Sequence, residues 1–188
     1  MPVKANTSIL LLGDSVSAGY GMQVNQSWVY LLNKSFKQDN LPYQIINASI
    51  SGETTSGGLS RLPDILAKND VEHLIVELGG NDGLRGLSPK VIKNNLLQII
   101  TLAQNKGIKV SLMKIRITPN YGPRYNKMFE QVFVDVAEEK SVALMPFFVE
   151  QVALDSELMF DDGIHPNEKA QPIIADFMKK EILALFAE

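Results

Sequence analysis

Ser8-Ile-Leu-Leu-Leu12, followed at once by Gly13-Asp-Ser15, decides the fold class of this 188-residue chain. Large aliphatic residues in unbroken succession suit a strand covered on both faces, the environment of a parallel sheet flanked by helices. The rest of the sequence keeps the matching rhythm. Ser27 stands where an N-cap belongs, ahead of Trp28, Leu31, Leu32, Ser35 and Phe36 at helical spacing. Tyr43 to Ala48 reads as a second strand, and His73-Leu-Ile-Val-Glu77, stopped by Gly79-Gly80, as a third. Ser88-Pro89 starts a helix whose apolar face is Ile92, Leu96, Ile99, Ile100 and Ala103 and which Gly107 ends. Lys109 to Ile115 is a fourth strand. Pro123 opens a helix with Met128, Phe129, Val132, Phe133, Val136 and Ala137 inward, and Ser141 to Met145 is a weaker fifth strand. The last helix occupies most of Glu168 to Phe186, with Pro172 either in its first turn or kinking it. Such alternation predicts right-handed crossovers and one three-layer α/β domain over 1–188, with a parallel sheet between two helical layers.

Composition closes off several classes. Hydrophobic residues make up 45% and charged residues 21%, a globular balance that excludes disorder, collagen and coiled coil. Eighteen Lys and Arg against 21 Asp and Glu give a net charge of -3, with no basic run, so nucleic acid is not an expected partner. The longest apolar stretch, Val142 to Val149, is broken by Pro146 and falls far short of the ~20 residues of a spanning helix. Cysteine is absent, which removes thiol nucleophiles, Cys-ligated zinc, iron–sulfur clusters and disulfides. Met1 to Ser8 is polar and lacks the apolar centre of a signal peptide, so the expectation is a cytoplasmic protein or one whose leader has been removed.

In open parallel sheets, ligands bind beyond the carboxyl ends of the strands. Four segments should meet there: Gly13-Asp-Ser-Val-Ser-Ala-Gly19, Ser49-Ile-Ser-Gly-Glu-Thr54, Gly79-Gly-Asn-Asp-Gly-Leu-Arg-Gly86 and Thr118-Pro-Asn-Tyr-Gly122. Of the two histidines, His73 begins a strand at the opposite edge, where a partly exposed structural role is expected. His165, in Asp161-Asp-Gly-Ile-His-Pro-Asn167, belongs to the ligand edge. Asp162 precedes it by three residues with Gly163 between, a turn that brings both side chains to one side. A carboxylate on one imidazole nitrogen leaves the other free as a general base. Ser15, directly after a buried strand, presents its hydroxyl as a nucleophile and its N–H to a developing oxyanion. Gly52 offers a backbone N–H without Cβ crowding, and the Asn81 amide is a side-chain donor of the kind found in oxyanion holes. Each residue has a plain alternative when read singly: helix cap, turn, or solvent-exposed loop. Their co-occurrence on separate loops of one edge favours nucleophilic catalysis, with no metal and no cofactor required.

Gly13-Asp-Ser-Val-Ser-Ala-Gly, Gly52, Gly80-Asn-Asp and Asp162-Gly-Ile-His resemble the four sequence blocks of the SGNH hydrolases, also called GDSL esterases or lipases. The blocks fall in order over nearly the whole chain, with Val16 where the family often has Leu. Asn47-Ala-Ser-Ile-Ser-Gly52, Val76-Glu-Leu-Gly-Gly-Asn-Asp-Gly-Leu-Arg-Gly86 and Asp161 to Asn167 are closer still to the thioesterase I and lysophospholipase L1 branch, which includes arylesterases. The resemblance implies a flavodoxin-like sheet of order 2-1-3-4-5 and a Ser15, His165, Asp162 triad. It implies an oxyanion hole from Ser15, Gly52 and Asn81, periplasmic export or secretion, and a mobile loop over Leu84 to Pro89. The substrate would be a small ester or thioester: an aryl ester, an acyl-CoA or a lysophospholipid of short to medium acyl length. The loops after strands three and four are short, so the acyl chain is expected to run along an open groove lined by Leu84, Leu87, Ile117 and Tyr121.

Other readings of the same residues remain open at this stage. The family pattern also allows a carbohydrate acetylesterase. Ser15-Val-Ser-Ala-Gly19 loosely resembles a hydroxyl-rich loop that holds the FMN phosphate in flavodoxins. An inert Ser15 would leave a carbohydrate- or lipid-binding module, and Asp14, Asp161, Asp162 and His165 could instead serve metal-dependent hydrolysis.

Overall fold

The computed structural model describes residues 7–187; of the Met1 to Ser8 segment on which the leader reading turned, the first six residues lie outside the described part. Five parallel strands form one sheet: β1 (Thr7–Gly13), β2 (Tyr43–Asn47), β3 (His73–Glu77), β4 (Lys109–Met113) and β5 (Ala143–Met145). Their order is β2-β1-β3-β4-β5. Ile9 to Leu12 are wholly buried, and all five residues of β3 are buried, as expected of strands covered on both faces. The helices are α1 (Ser15–Ala18), α2 (Trp28–Gln38), α3 (Thr55–Lys68), α4 (Gly80–Leu84), α5 (Pro89–Gln104), α6 (Pro123–Lys140) and α7 (Gln171–Leu185). They form two packed groups, α2 with α7 and α3 with α5 and α6, on the two sides of the sheet. Among the described residues no helix is long and apolar enough to cross a membrane.

Most expected elements are present, with their ends trimmed. β2 stops at Asn47 instead of Ala48, β4 at Met113 instead of Ile115, and β5 starts at Ala143 instead of Ser141. The last helix begins at Gln171, which leaves Pro172 in the first turn, where its missing N–H costs no helical bond. Ser27 caps α2 by accepting from the Tyr30 N–H. Ser88 stands at the N-cap of α5, but its side chain makes no cap bond; its carbonyl takes the Val91 and Ile92 N–H groups. Met128 was expected inward and is 50% exposed. The buried stripe of α6 is Phe129, Val132, Phe133, Val136 and Ala137, and a residue one step before it is turned about 100° away.

Three helices were not anticipated: α1 and α4 are single short turns inside segments read as loops, and α3 is a full helix. α3 contains Gly57, Gly58 and Pro63, residues that weaken helices or remove a bond from them. Packing overrides that preference. Leu62 and Leu66 are buried, and a Cβ on Gly58 would lie 2.3 Å from Leu78 Cδ1, so the helix sits close against the sheet only because residue 58 has no side chain. Thr54 caps α3 by accepting from the Gly57 N–H at 3.1 Å.

His73 departs from its expected exposure. It is 5% exposed, its Nε2 lies 2.9 Å from Ser111 Oγ, and Phe186 meets its ring edge-on. Burial, aided by the nearby Lys109 charge, pushes its pKa down to about 4. The unfolded chain binds a proton at His73 below the ordinary value of about 6.5 while the folded chain does not until about 4. Stability from this residue is therefore complete above pH 6.5 and declines as pH falls to about 4, by on the order of 3 kcal/mol. His73→Gln should flatten the dependence of the urea unfolding midpoint on pH across that window and leave it unchanged above neutrality.

Candidate active site

The sheet reverses its strand order between β1 and β3, and the segments leaving those strands carry Ser15 and Asn81. Asp14 caps α1 through its side chain, which accepts from the Val16 N–H at 3.1 Å. Ser15 thus becomes the first helical residue, buried but reachable, with its N–H in a turn where helix geometry provides no partner. Ser17, the next hydroxyl, is fully buried and donates to Glu77 Oε2 at 2.7 Å. That direction takes it away from any phosphate, so the flavodoxin-like reading of this loop has lost one of its hydroxyls.

Across 150 residues of chain, His165 Nε2 lies 2.8 Å from Ser15 Oγ. Its Nδ1 lies 2.7 Å from Asp162 Oδ2. Asp162 Oδ1 accepts from the Ile164 and His165 N–H groups at 2.8 and 3.0 Å, so the carboxylate closes its own turn while it orients the ring. Gly163 makes that turn with φ +65°. Partial burial acts to raise the Asp162 carboxyl, but the two backbone donors and the imidazole outweigh it and hold it below the usual carboxylate range. Both imidazole nitrogens are engaged, and among the described residues no three acidic or imidazole side chains converge as a metal site would need.

Asn81 sits in the first turn of α4. Its amide donates to Asp14 Oδ2 at 3.1 Å and to the Glu53 carbonyl at 2.9 Å, which ties the ends of β1, β2 and β3 together. Gly52 has φ +80°, and a Cβ there would meet nothing within 4 Å. The left-handed backbone at this position favours glycine. Asp82 pulls the same loops together: it is fully buried and accepts from the Thr55 N–H at 2.9 Å and the Thr55 hydroxyl at 2.6 Å.

Two further acids lie beneath Ser15. Burial lifts Asp14 to about 6, against the Val16 N–H, the His165 charge and the Asn81 amide. Burial and the Asp14 charge raise Glu77 well above the usual carboxylate range, against the Ser17 hydroxyl and the Asp14 N–H. Glu77 Oε2 accepts from both of those donors. Glu77 and Asp82 escaped the sequence reading. The only signal available was an acid closing a buried strand and a second acid following Asn81.

A cavity of about 350 Å³ opens beside this cluster, lined by Ser15, Asn81 and His165 together with Ile115, Phe147, Val149, Met159 and Ile164. Leu84 and Ile117 also line it. Leu87 and Tyr121, expected on the same path, do not. Leu87 packs half-buried against the core and gives its carbonyl to the Tyr125 hydroxyl at 2.7 Å. Tyr121 donates to the Leu84 carbonyl at 2.6 Å, bracing α4 from outside.

Residues 11–172 match the model of the GDSL-like lipase/acylhydrolase family. An arylesterase of Vibrio mimicus is 46% identical over 180 residues, covering 96% of this chain and 90% of the relative. Thioesterase 1/protease 1/lysophospholipase L1 of Escherichia coli strain K12 is 45% identical over 181 residues, covering 96% and 86%. The crystal structure of the psychrotrophic esterase EstA from Pseudoalteromonas sp., inhibited by monoethylphosphonate, superposes with a TM-score of 0.96 at 43% identity, covering 97% of this chain and all of the other. Likeness carried along the whole sheet and its loops makes this chain a member of the GDSL-like lipase/acylhydrolase family, a hydrolase of carboxylic esters.

Proposed function

We propose that Ser15 is the nucleophile of this esterase, with His165 as its general base and acid and Asp162 as the carboxylate that orients it. The observation carrying this reading is the continuous run of Ser15 Oγ to His165 Nε2 at 2.8 Å and His165 Nδ1 to Asp162 Oδ2 at 2.7 Å. Ser15 Oγ attacks the acyl carbon as its proton passes to His165 Nε2. The imidazolium then protonates the departing alcohol or thiol, leaving an acyl-serine. Water attacks that ester with His165 as base, and the acid leaves with Ser15 restored.

The oxyanion is held by the Ser15 and Gly52 N–H groups and the Asn81 amide. Both amide protons of Asn81 have acceptors at rest, and the longer bond is the one to Asp14. The oxyanion takes over that proton as charge builds, so the donor is oriented before substrate arrives. The apolar side of the cavity, from Ile115 to Met159 and Ile164, takes the acyl chain. Its extent favours acyl groups longer than acetyl over an acetylated sugar. In keeping with the names of its relatives, the chain acts on aryl esters, acyl thioesters and lysophospholipids. By the same kinship its place of work is the periplasm or outside the cell.

Ser15→Ala should lower kcat by up to ~10⁶ without lowering the melting temperature, and a phosphonate should label Ser15 in the parent protein. Labelling at Ser17 would move the nucleophile and overturn the assignment. Asn81→Ala should reduce kcat by about 10²–10³ with little change in KM; a lower melting temperature with normal specific activity would make Asn81 purely structural. Each methylene buried against the cavity wall contributes about 0.8 kcal/mol, so Ile117→Ala should penalise decanoyl esters more than acetyl esters. Leu87→Ala should leave that ratio unchanged. The reverse pattern would place the acyl path on the other side of α4.

A further inference from the structure

Tyr20 follows the nucleophile by five residues and lies between two glycines in the left-handed region, Gly19 at φ +79° and Gly21 at φ +74°. Neither the triad nor the oxyanion donors make use of it. Its N–H donates to the Ser15 carbonyl at 3.2 Å, which anchors it to the residue that carries the attacking hydroxyl. Its ring stacks on the His165 imidazole with centroids 4.1 Å apart and planes 26° from parallel. Phe160 meets the Tyr20 ring edge-on at 6.4 Å and gives its N–H to the His165 carbonyl at 2.8 Å. A Cβ on Gly21 would lie 3.1 Å from Phe160, so this glycine lets the aromatic ring come close. One aromatic face thus joins the segment carrying Ser15 to the separate turn carrying His165.

We propose that Tyr20 is a positioning residue that, by stacking on His165, holds the imidazole in line between Ser15 and Asp162 and stabilises the imidazolium formed when Ser15 gives up its proton. The need for it follows from the surroundings of the base. Asp162 is exposed, and its turn carries three glycine or acidic residues in succession before Ile164. The bonds at Nδ1 and Nε2 hold the two ends of the ring but leave its plane free to roll about the line between them. A second plane pressed against the imidazole removes that freedom. A cation over an aromatic face is also attracted to it, whereas the neutral ring gains less, so the contact strengthens as the proton arrives. Tyr20 is 47% exposed and does not line the acyl cavity, which sets it on the side of the base away from the acyl chain. Its effect should therefore fall on turnover and not on the choice of acyl group.

This inference rests on His165 being the base, and the experiment separates the two. Tyr20→Leu, Tyr20→Gln, Tyr20→Phe and His165→Ala are compared with the parent on p-nitrophenyl acetate and decanoate, with melting temperatures measured alongside. Tyr20→Leu and Tyr20→Gln should each lose about 3- to 10-fold in kcat, with KM and the decanoate-to-acetate ratio unchanged and the melting temperature retained. Tyr20→Phe should recover most of the loss, because the ring face and not the hydroxyl does the stacking. In the His165→Ala background, Tyr20→Leu should cost nothing further. A parental kcat in folded Tyr20→Leu and Tyr20→Gln, a Phe variant as impaired as the Leu one, or an equal additional loss without His165 would each overturn the proposal. An active His165→Ala protein would overturn it together with the assignment of the base, whereas an inactive one beside a fully active Tyr20→Leu removes only the role given to Tyr20.

Discussion

The closeness of Gly13 to Glu77 is the constraint on which the site depends. The two residues are register partners in β1 and β3. A Cβ at position 13 would stand 2.6 Å from Glu77 Oε2 and 2.8 Å from Ser49 Oγ, so a side chain there would push the Glu77 carboxyl and the Ser49 hydroxyl out of place. With glycine in place, Glu77 Oε2 reaches the Asp14 N–H and the Ser17 hydroxyl together. That clamp sets where α1 begins, and α1 sets where the Ser15 hydroxyl points. The reach of His165, the cap by Asp14 and the bond from Asn81 to Asp14 all start from that one close approach.

The electrostatics divide along the same line. Beneath Ser15 the acids are buried: burial pushes Glu77 well above the usual carboxylate range and lifts Asp14 to about 6, against two donors, the Val16 N–H and the Asn81 amide, and the His165 charge. Above Ser15, Asp162 is exposed and is kept charged by the backbone of its own turn. A buried acceptor held by two donors is rigid, and this suits Glu77 to a structural clamp. An exposed charged carboxylate costs little to keep and can support an imidazolium, which suits Asp162 to the base. Tyr20 adds the apolar face that this exposed pair otherwise lacks.

The parts of this fold that were legible beforehand were those where local preference and packing agree. β1 is an unbroken aliphatic run, α5 has Pro at its first position and a regular apolar stripe, and Ser27 caps α2 in the expected way. α3 escaped because Gly57, Gly58 and Pro63 argue locally against a helix, and the close fit against Leu78 that calls for Gly58 exists only in the folded chain. Met128 was misplaced by a single step of helical rotation, too small a difference for composition to reveal. The Ser15, Asp162, His165 and Asn81 positions were readable since each is a chemically distinctive residue at the carboxyl end of a recognisable strand or in a glycine-marked turn.

Distances through space were not readable in that way. Leu87 and Tyr121 lie in the right loops but turn to the Tyr125 hydroxyl and the Leu84 carbonyl, while Ile115 and Phe147, from different parts of the chain, meet at the cavity. His73 is buried because Phe186, at the far end of the chain, covers it. By itself the sequence determined the strand-helix alternation, the loops that meet at one edge and the residue types able to carry out ester hydrolysis, because these depend on local pattern and chemistry. Only the tertiary structure decided which acids burial pushes up, which side chains wall the cavity and that Tyr20 lies against His165. Those outcomes depend on burial and on contacts between residues distant in the chain, and neither is a property of any one segment.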